Sequence, residues 1–469
     1  MITQEEDGHW MQNMWLDGSP YWNGVQMDQT AFPIMLVDLV NREVHLTENE
    51  LKHFWPMIRN AASFLVTNGP RTDQDRWEEN AGYSTFTLAV EIAALLIAAE
   101  YADLNNEPQV AVYFRETADC WNSCIERWTY VTGSELAQFV GVDGYYVRIN
   151  SKEAVDTNCP GNNILTISNR PKGENACSVN EMVSPDALAL VRFGLRAADD
   201  VRILNTIKVI DATLKMEGAL GPVWYRYNGD GYGEHSDGRL FDGIGIGRPW
   251  PLLTGERAHY EIAAGNYKKA EKLLKTFEKY ANETGLFPEQ IWDSENIEEK
   301  GLFFSKPTGG ATPLAWAHAE YIKLCRSLIS KQVFDMPHQT EQRYLVEKTI
   351  STIFIWNFNN YYKFFPKNKI LRLQCLTSAM VKWSKDNWAT TTEVNTLDSG
   401  LGIHYADLPT SNLDYGQTIQ YTFYWHDSAN WEEKEYTLSV EKNVFDLTAL
   451  EIQERNRQER DKIKVFLPS

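Results

Sequence analysis

The sequence of 469 residues contains few cysteines and fewer basic than acidic residues. Of the six cysteines, only Cys120 and Cys124 lie close together, four residues apart in a stretch with helical periodicity. No Cys or His follows them at the spacing of a zinc site. We therefore expect buried free thiols, and nothing in this pattern demands an oxidising compartment.

Segments that address a chain to a membrane are also lacking. The first residues, MITQEEDGHWMQNMW, have no basic start and no apolar signal core. The most apolar run, residues 92–99, lies between Glu91 and Glu100 and is too short to span a bilayer. For the chain as written we expect a cytoplasmic location and no membrane partner.

Positive charge is outnumbered: 45 Lys and Arg face 64 Asp and Glu, a net charge of -19. An acidic surface repels phosphate backbones, so we expect no nucleic-acid partner. The phosphate-binding Gly-Lys-Ser/Thr loop and the Gly-x-Ser-x-Gly nucleophile elbow are absent as well. These absences argue against a nucleotide enzyme and a serine hydrolase, and favour a neutral substrate.

Aromatic residues are abundant, with 16 Trp and 22 Tyr. They are typical either of a large helical core or of walls on which sugar rings stack, because the C–H faces of pyranoses are apolar. Helical periodicity recurs over much of the chain before residue 330. The predicted helices cover residues 29–40, 50–67, 84–103, 108–130, 186–198, 200–216, 249–265, 266–282 and 312–329. The long loops between them, at 68–83, 141–185, 218–248 and 283–311, are where function is expected.

The pattern changes near residue 330. Residues 348–450 contain short alternating runs such as ILRLQCL, SAMVKWS, GIHYADL and TIQYTFYW, which predict a small antiparallel β-sandwich. We therefore divide the chain into a helical domain, 1–330, a β domain, 331–450, and a charged tail, 451–469. The tail is expected to be a peripheral helix or disordered.

Two loop motifs place a glutamate beside tryptophan. The first, DQDRWEEN (residues 73–80), crowds carboxylates next to Trp77 just before a predicted helix. Crowded like charges and an apolar neighbour raise the pKa of a carboxyl group, as a general acid requires. The plainer interpretation is a solvated acidic loop that starts a helix. The second motif, LFPEQIWD (residues 286–293), surrounds Glu289 with Pro288, Gln290 and Trp292, although it is also compatible with an ordinary loop.

The two motifs are more informative together. Glycoside hydrolysis uses two carboxyl groups that face each other across a sugar, one to protonate the leaving oxygen and one to activate water or attack directly. The motifs YWNGVQMD and WYRYNGDGYGE mix aromatic and hydrogen-bonding side chains and support a carbohydrate cleft. A calcium site formed by Asp230, Asp237 and Asp242 is conceivable, but the spacing is not that of an EF-hand.

These stretches resemble glycoside hydrolase family 15, the bacterial glucoamylases and glucodextranases. The resemblance rests on NMWLDGSPYWNGVQMDQTAFPI, NGPRTDQDRWEENAGYSTFTLAVEIAAL, GIGRPWPLLTGERAHYE, GLFPEQIWD and PTGGATPLAWAHAEYIKL, within residues 13–325. It implies a mainly α fold, an (α/α)6 barrel, with no cofactor. The implied function is inverting release of glucose from the non-reducing ends of α-glucans.

The resemblance also implies roles for individual residues. Glu78 would be the general acid and Glu289 the general base, about 6.5–9.5 Å apart so that a water fits between substrate and base. Gln290 would help to hold that water. Trp22 would pack against the sugar and support the acid. Three further residues would contact the sugar, namely Trp77, Glu79 and Arg226.

One departure from the family pattern bears on activity. The twelve helices of the barrel exceed those that periodicity predicts here, and no Arg-Asp dipeptide precedes residue 78, where relatives carry one that grips the sugar. We therefore expect a barrel that is incomplete at its N-terminal end. The alternatives are a weakly active or non-catalytic α-glucan-binding remnant, and a specificity for dextran or trehalose.

Overall fold

A computed structural model describes residues 2–22, 24–153, 163–360 and 362–442. Its first helices are α1 (Met27–Val44) and α2 (Glu48–Asn68), which pack against each other. The short connection is possible because Thr47 caps α2: its side chain accepts from the Glu50 amide, and the Glu50 carboxylate accepts from the Thr47 amide. Both helices are longer than the predicted segments.

The next pair is α3 (Thr85–Leu104) and α4 (Pro108–Thr129), which pack along their length. Helix α3 is long and apolar enough to cross a bilayer, with a mean hydropathy of 1.6, which corrects the expectation drawn from residues 92–99 alone. However, 94% of that window is buried inside the fold. A helix that is apolar on all faces is typical of the centre of a large core, and α3 contacts α1, α2 and α4.

Further α-helices follow in the described residues. They are α5 (Glu135–Val140), α6 (Ala189–Arg192), α7 (Val201–Thr213), α8 (Pro251–Ala263), α9 (Tyr267–Lys279), α10 (Ala315–Ser330) and α11 (His338–Thr340). Helix α6 follows a 3-10 turn, Pro185–Leu188, and is shorter than predicted because Gly194 adopts a left-handed φ of 74° that ends it. A series of helices is packed pairwise: α1 contacts α3, α3 contacts α6, α6 contacts α8, and α8 contacts α10.

Short antiparallel strand pairs lie in and beside the long loops. Their strands are β1 (Asn13–Met14) with β2 (Pro20–Trp22), β3 (Tyr83–Ser84) with β6 (Ile149–Asn150), β4 (Tyr130–Thr132) with β5 (Gly144–Tyr146), β7 (Ile164–Thr166) with β8 (Ala176–Ser178), and β9 (Lys215–Gly218) with β10 (Gly221–Trp224). The last hairpin explains why α7 stops at Thr213, before the predicted end at 216.

Two sheets follow the helices. One has the order β11-β13-β17-β16, and the other has the order β12-β20-β18-β14-β15, with β19 beside β18. The strands are β11 (Ile353–Asn357), β12 (Phe364–Phe365), β13 (Ile370–Cys375), β14 (Ala379–Ser384), β15 (Thr392–Asn395), β16 (Leu397–Asp398), β17 (His404–Leu408), β18 (Thr418–Trp425), β19 (Asn430–Trp431) and β20 (Tyr436–Val440). The predicted antiparallel pairing is right for most pairs, but β11–β13 and β12–β20 are parallel.

The sheets pack directly on the helices. Helix α4 contacts β11, and Gln374 of β13 donates to the Tyr113 hydroxyl at 2.6 Å. Arg372 bridges Glu116 of α4 and Asp407 of β17. One apolar core therefore runs through both parts. The domain boundary at 330 stays a prediction, and the predicted tail, 451–469, lies outside the described residues.

The cysteine prediction is confirmed where the structure describes it: Cys120 and Cys124 are buried free thiols. Cys159 lies outside the described residues.

Candidate active site

The loop that carries Glu78 is a tight turn fastened at both ends. Thr72 and Gly82 exchange backbone hydrogen bonds, and the Asp75 amide donates to the Asn80 carbonyl at 2.9 Å. The Asp75 carboxylate accepts from the Glu79 amide at 3.0 Å. Glu78 adopts a left-handed φ of 63°, which is unusual for a residue other than glycine. Such a conformation is kept only where the surroundings enforce it.

Two buried side chains within this turn provide that enforcement. Arg76 pairs with Asp186 at 2.7 Å and with both oxygens of Glu256 at 2.8 and 3.0 Å. The indole N–H of Trp77 donates to Asp186 at 3.1 Å. Burial raises the pKa of Asp186, and the adjacent Arg76 opposes that rise. The buried side of the turn is therefore anchored, and Glu78 lies on its exposed side.

Glu78 is exposed, and it borders a groove of 710 Å³ between α1 and α10. Phe32 and Leu36 of α1 and Trp316 of α10 line the groove. Trp77, the apolar neighbour that the sequence suggested for Glu78, turns into the core instead. Asp28 also borders the groove, and burial raises its pKa to about 7.

Glu289 lies in a loop that is hydrogen-bonded to the segment 308–311. Its amide donates to the Ala311 carbonyl at 2.8 Å, and the Thr308 amide donates to the Gln290 carbonyl at 3.1 Å. The Tyr232 hydroxyl is 3.4 Å from both carboxylate oxygens of Glu289. Burial raises the pKa of Glu289, whereas Arg226 and the Tyr232 hydrogen bond act against that rise.

Arg226 connects the two loops. Its guanidinium donates to Asp230 at 2.8 and 2.7 Å and lies 3.8 Å from Glu79. The same group lies over the rings of Trp77, at 5.2 Å, and Tyr232, at 4.8 Å. Because Tyr232 contacts Glu289, a chain of direct contacts runs from the first motif to the second. Glu78 and Glu289, which are 211 positions apart in sequence (289 − 78 = 211), thus belong to motifs that meet in space.

The other predicted sugar contacts divide into two groups. Gln290 is buried and its side-chain amide donates to the Tyr232 carbonyl at 3.0 Å. Glu79 accepts from Ser168 at 2.6 Å and from Asn169. Both therefore belong to the same assembly as Arg226 and Trp77.

Trp22, the remaining predicted sugar contact, lies on the β1–β2 hairpin. It is 54% exposed, and its ring packs edge-on against Tyr21, which in turn packs edge-on against Trp15. The following segment reaches the Glu78 turn, because the Gln26 side chain donates to the Asp75 carbonyl at 2.7 Å. The substrate contact of Trp22 stays a prediction.

The three aspartates considered for calcium are not gathered at one point. Asp230 pairs with Arg226, Asp237 with Arg239, and Asp242 with His235. Across the described ranges of the chain, no cluster of three or more His, Cys, Asp or Glu side chains could hold a metal ion.

Sequence reasoning missed three residues that the site depends on. Tyr232 lies in the motif WYRYNGDGYGE, but no pattern distinguishes it from the other aromatic residues there. Asp186 and Glu256, which hold Arg76, belong to a 3-10 turn and to α8, far from the Glu78 motif in sequence. The sequence did contain one signal of such partners, namely Arg76 in an acidic loop, because a buried arginine requires carboxylate partners.

Comparison with known proteins identifies the family of this chain. The model of the family described as glycosyl hydrolases family 15 matches residues 5–326. The chain therefore belongs to glycosyl hydrolases family 15, as the resemblance implied.

Similar proteins include a glucoamylase of Clostridium sp. (strain G0005), 41% identical over 343 residues, which cover 73% of this chain and 45% of the relative. A crystal structure of a bacterial glucoamylase complexed with acarbose superposes with a TM-score of 0.64 at 40% identity, covering 73% of this chain and 46% of that one. An uncharacterized glycosyl hydrolase of Methanocaldococcus jannaschii is 24% identical over 337 residues, 68% of this chain and 44% of the relative.

The predicted fold class, a mainly α toroid followed by a β domain, is confirmed by the bacterial glucoamylase match and the observed strands. The chain spans less than half the length of each of these three relatives.

Proposed function

We propose that this chain is a glucoamylase-like glycoside hydrolase that releases glucose from the non-reducing ends of α-glucans with inversion. The observation that carries the proposal is the contact chain from Glu79 through Arg226 and Tyr232 to Glu289. It joins the two glutamate motifs around one cluster of aromatic rings. Membership of the family supports the substrate class.

In the proposed reaction, the Glu78 carboxyl group gives its proton to the glycosidic oxygen as the bond between that oxygen and the anomeric carbon breaks. Glu289 takes a proton from a water molecule, and the water oxygen forms the new bond on the opposite face of the sugar. One water is consumed, and β-glucose and a shortened glucan are released. The raised pKa of Glu289 follows from its partial burial, and it acts as base once deprotonated.

A second candidate is an α-glucan-binding protein of low or no activity, in line with the alternative that the sequence left open. The exposure of Glu78 favours it, because catalytic groups act most effectively in a site that excludes water. A bound sugar chain in the groove would itself bury this side chain.

The test is glucose release by the full chain from maltose, maltoheptaose, starch, dextran and trehalose, assayed side by side. We expect release from the α-1,4 substrates, and a loss of about 10²–10⁴-fold or more in Glu78→Gln and in Glu289→Gln, the range of general acid–base contributions. Glu283→Gln, an exposed glutamate that precedes the second motif, is the matched control.

Release that persists at the wild-type rate in both variants would refute the assignment of the pair. Binding of maltoheptaose without any release would establish the second candidate instead. Preferential release from dextran or trehalose would retain the mechanism but change the linkage.

A further inference from the structure

A second cavity, of 300 Å³, lies where the helical part meets the sheets. Val66 and Thr67, in the last turn of α2, form one side, and residues that end β11, β13 and β18 form the other. The family match ends at residue 326. Most of this cavity therefore lies outside the residues that the family model matches.

The cavity has no charged residue in its lining, which consists of apolar, aromatic, amide and hydroxyl side chains and one buried thiol. This is unusual in a chain of which 23% is charged, with a net charge of -19. The groove beside Glu78 is lined by several acidic and basic side chains, including Asp28, Arg76 and Lys323. An uncharged lining offers nothing to a phosphate, a carboxylate or a cation, so it selects a neutral ligand.

One wall of the cavity is a fixed pair of aromatic rings. Phe358 is 38% exposed although its ring packs against Trp356 and Phe423 at 5.1 and 5.4 Å. Trp425 stacks on Phe423, with the centroids 5.1 Å apart and the planes within 7°. Each ring is therefore held from behind and presents another surface to the cavity. Rings held in this way lose little entropy when an apolar sugar face packs on them.

Hydrogen-bonding groups stand beside the rings. The buried side chain of Gln374 is held by Tyr113 and lies next to Asn357, whose amide is 3.4 Å from the Gln374 oxygen. Asn359 and Thr377 are exposed at the rim. Aromatic faces with neighbouring amide and hydroxyl groups match a neutral polyhydroxylated ring, which has apolar C–H faces and hydroxyls at its edge.

We propose that this cavity binds one or two glucose units of an α-glucan chain, at a site separate from Glu78 and Glu289. The choice of an α-glucan rests on the proposed function of the catalytic site. A site of this kind holds the polysaccharide near the chain without cleaving it. Linking two binding events raises the effective concentration of chain ends at the catalytic groups.

The experiment is a calorimetric titration of the full chain with β-cyclodextrin. This ring of α-1,4-linked glucose has no chain end, so a site that acts on ends does not accept it. We expect the wild type to bind it and Phe358→Ala to bind at least tenfold more weakly. Thr377→Arg, which brings a long charged side chain to the exposed rim without touching the core, should have the same effect.

The control is Trp431→Ala. Trp431 is 45% exposed on the same sheet and does not line the cavity, so its removal should leave the affinity unchanged. No binding by the wild type, or wild-type affinity in Thr377→Arg, would overturn the proposal. If Phe358→Ala does not fold, Thr377→Arg decides alone.

Glucose release from maltose separates this inference from the proposed function. Phe358→Ala and Thr377→Arg should release glucose from maltose at the wild-type rate, because the short substrate needs only the catalytic site. A chain that binds β-cyclodextrin through the cavity but releases no glucose would refute the proposed function and leave this binding site standing.

Discussion

The Glu78 turn and the Glu289 loop present their carboxyl groups in opposite ways. The Glu78 turn is anchored by the buried pair of Arg76 and Asp186, yet Glu78 itself is exposed beside an open groove. The Glu289 loop is held mainly by backbone hydrogen bonds, and Glu289 is partly buried beneath Tyr232. The first loop therefore fixes the position of Glu78. The second loop fixes the position of Glu289 and also partly buries its carboxyl group.

This difference bears on the two roles. A base can tolerate partial burial, because Arg226 and Tyr232 stabilise its charged form. An acid must carry its proton when the glycosidic bond breaks, and Glu78 lies exposed beside the groove. Substitutions in the Glu78 turn, at the groove and in the Glu289 loop test this difference.

The largest effect is expected from breaking the anchor of the Glu78 turn with Arg76→Met. The change leaves two buried carboxylates without their cation, which costs about 3–5 kcal/mol of the free energy of unfolding. Chemical denaturation measures the loss. Arg239→Met, which removes an exposed pair with Asp237, is the control and should change stability little. If both variants are equally stable, the turn is not held by this ion pair.

The second substitution acts at the groove. Burial raises the pKa of Asp28 to about 7 from its ordinary value of 3.8. The folded state therefore binds this proton more tightly, and the resulting stabilisation is complete below pH 3.8 and declines as pH rises towards 7, by up to about 1.4 kcal/mol per pH unit. Asp28→Asn should flatten this decline, so that the variant gains stability relative to wild type at pH 8 but not at pH 4.

Denaturation midpoints at pH 4, 6 and 8 would check the effect. Burial raises the pKa of Glu91 as well, and the charge of Asp28 adds to that rise, so Glu91→Gln should also reduce the loss of stability as pH rises above 4.5. A parallel pH dependence in wild type and Asp28→Asn would show that the buried carboxyl group does not carry its proton.

The smallest effect is expected at the second loop. The Tyr232 hydrogen bond lowers the pKa of Glu289, so Tyr232→Phe should raise that pKa. The base must be deprotonated to act, so the acidic limb of the profile of kcat/KM against pH should move to higher pH. The basic limb should stay in place. An unshifted acidic limb would remove Tyr232 from the environment of the base.

The sequence predicted much of the helical scaffold, because long helices such as α3 and α4 have strong apolar periodicity and clear ends. It also predicted the main strands of the sheets. It failed at α6, where Gly194 ends a helix early, and at the parallel strand pairs, because alternation along a strand does not reveal the direction of its neighbour.

Within the site, the sequence predicted the two glutamate motifs but not how they meet. The contact chain through Arg226 and Tyr232 depends on long-range packing, and the exposure of Glu78 depends on the groove between α1 and α10. Trp77 illustrates the limit: its position beside Glu78 is evident in the sequence, whereas its burial against Asp186 is not.

The most direct test of the central claim is the anomeric form of the glucose first released. Proton NMR of maltoheptaose hydrolysis, followed from the first minutes, distinguishes β-glucose from α-glucose before mutarotation mixes them. If Glu78 and Glu289 act as acid and water-activating base, β-glucose appears first and its signal vanishes in Glu289→Gln. Initial release of α-glucose would contradict the account, because it requires a covalent intermediate or a different pair of residues.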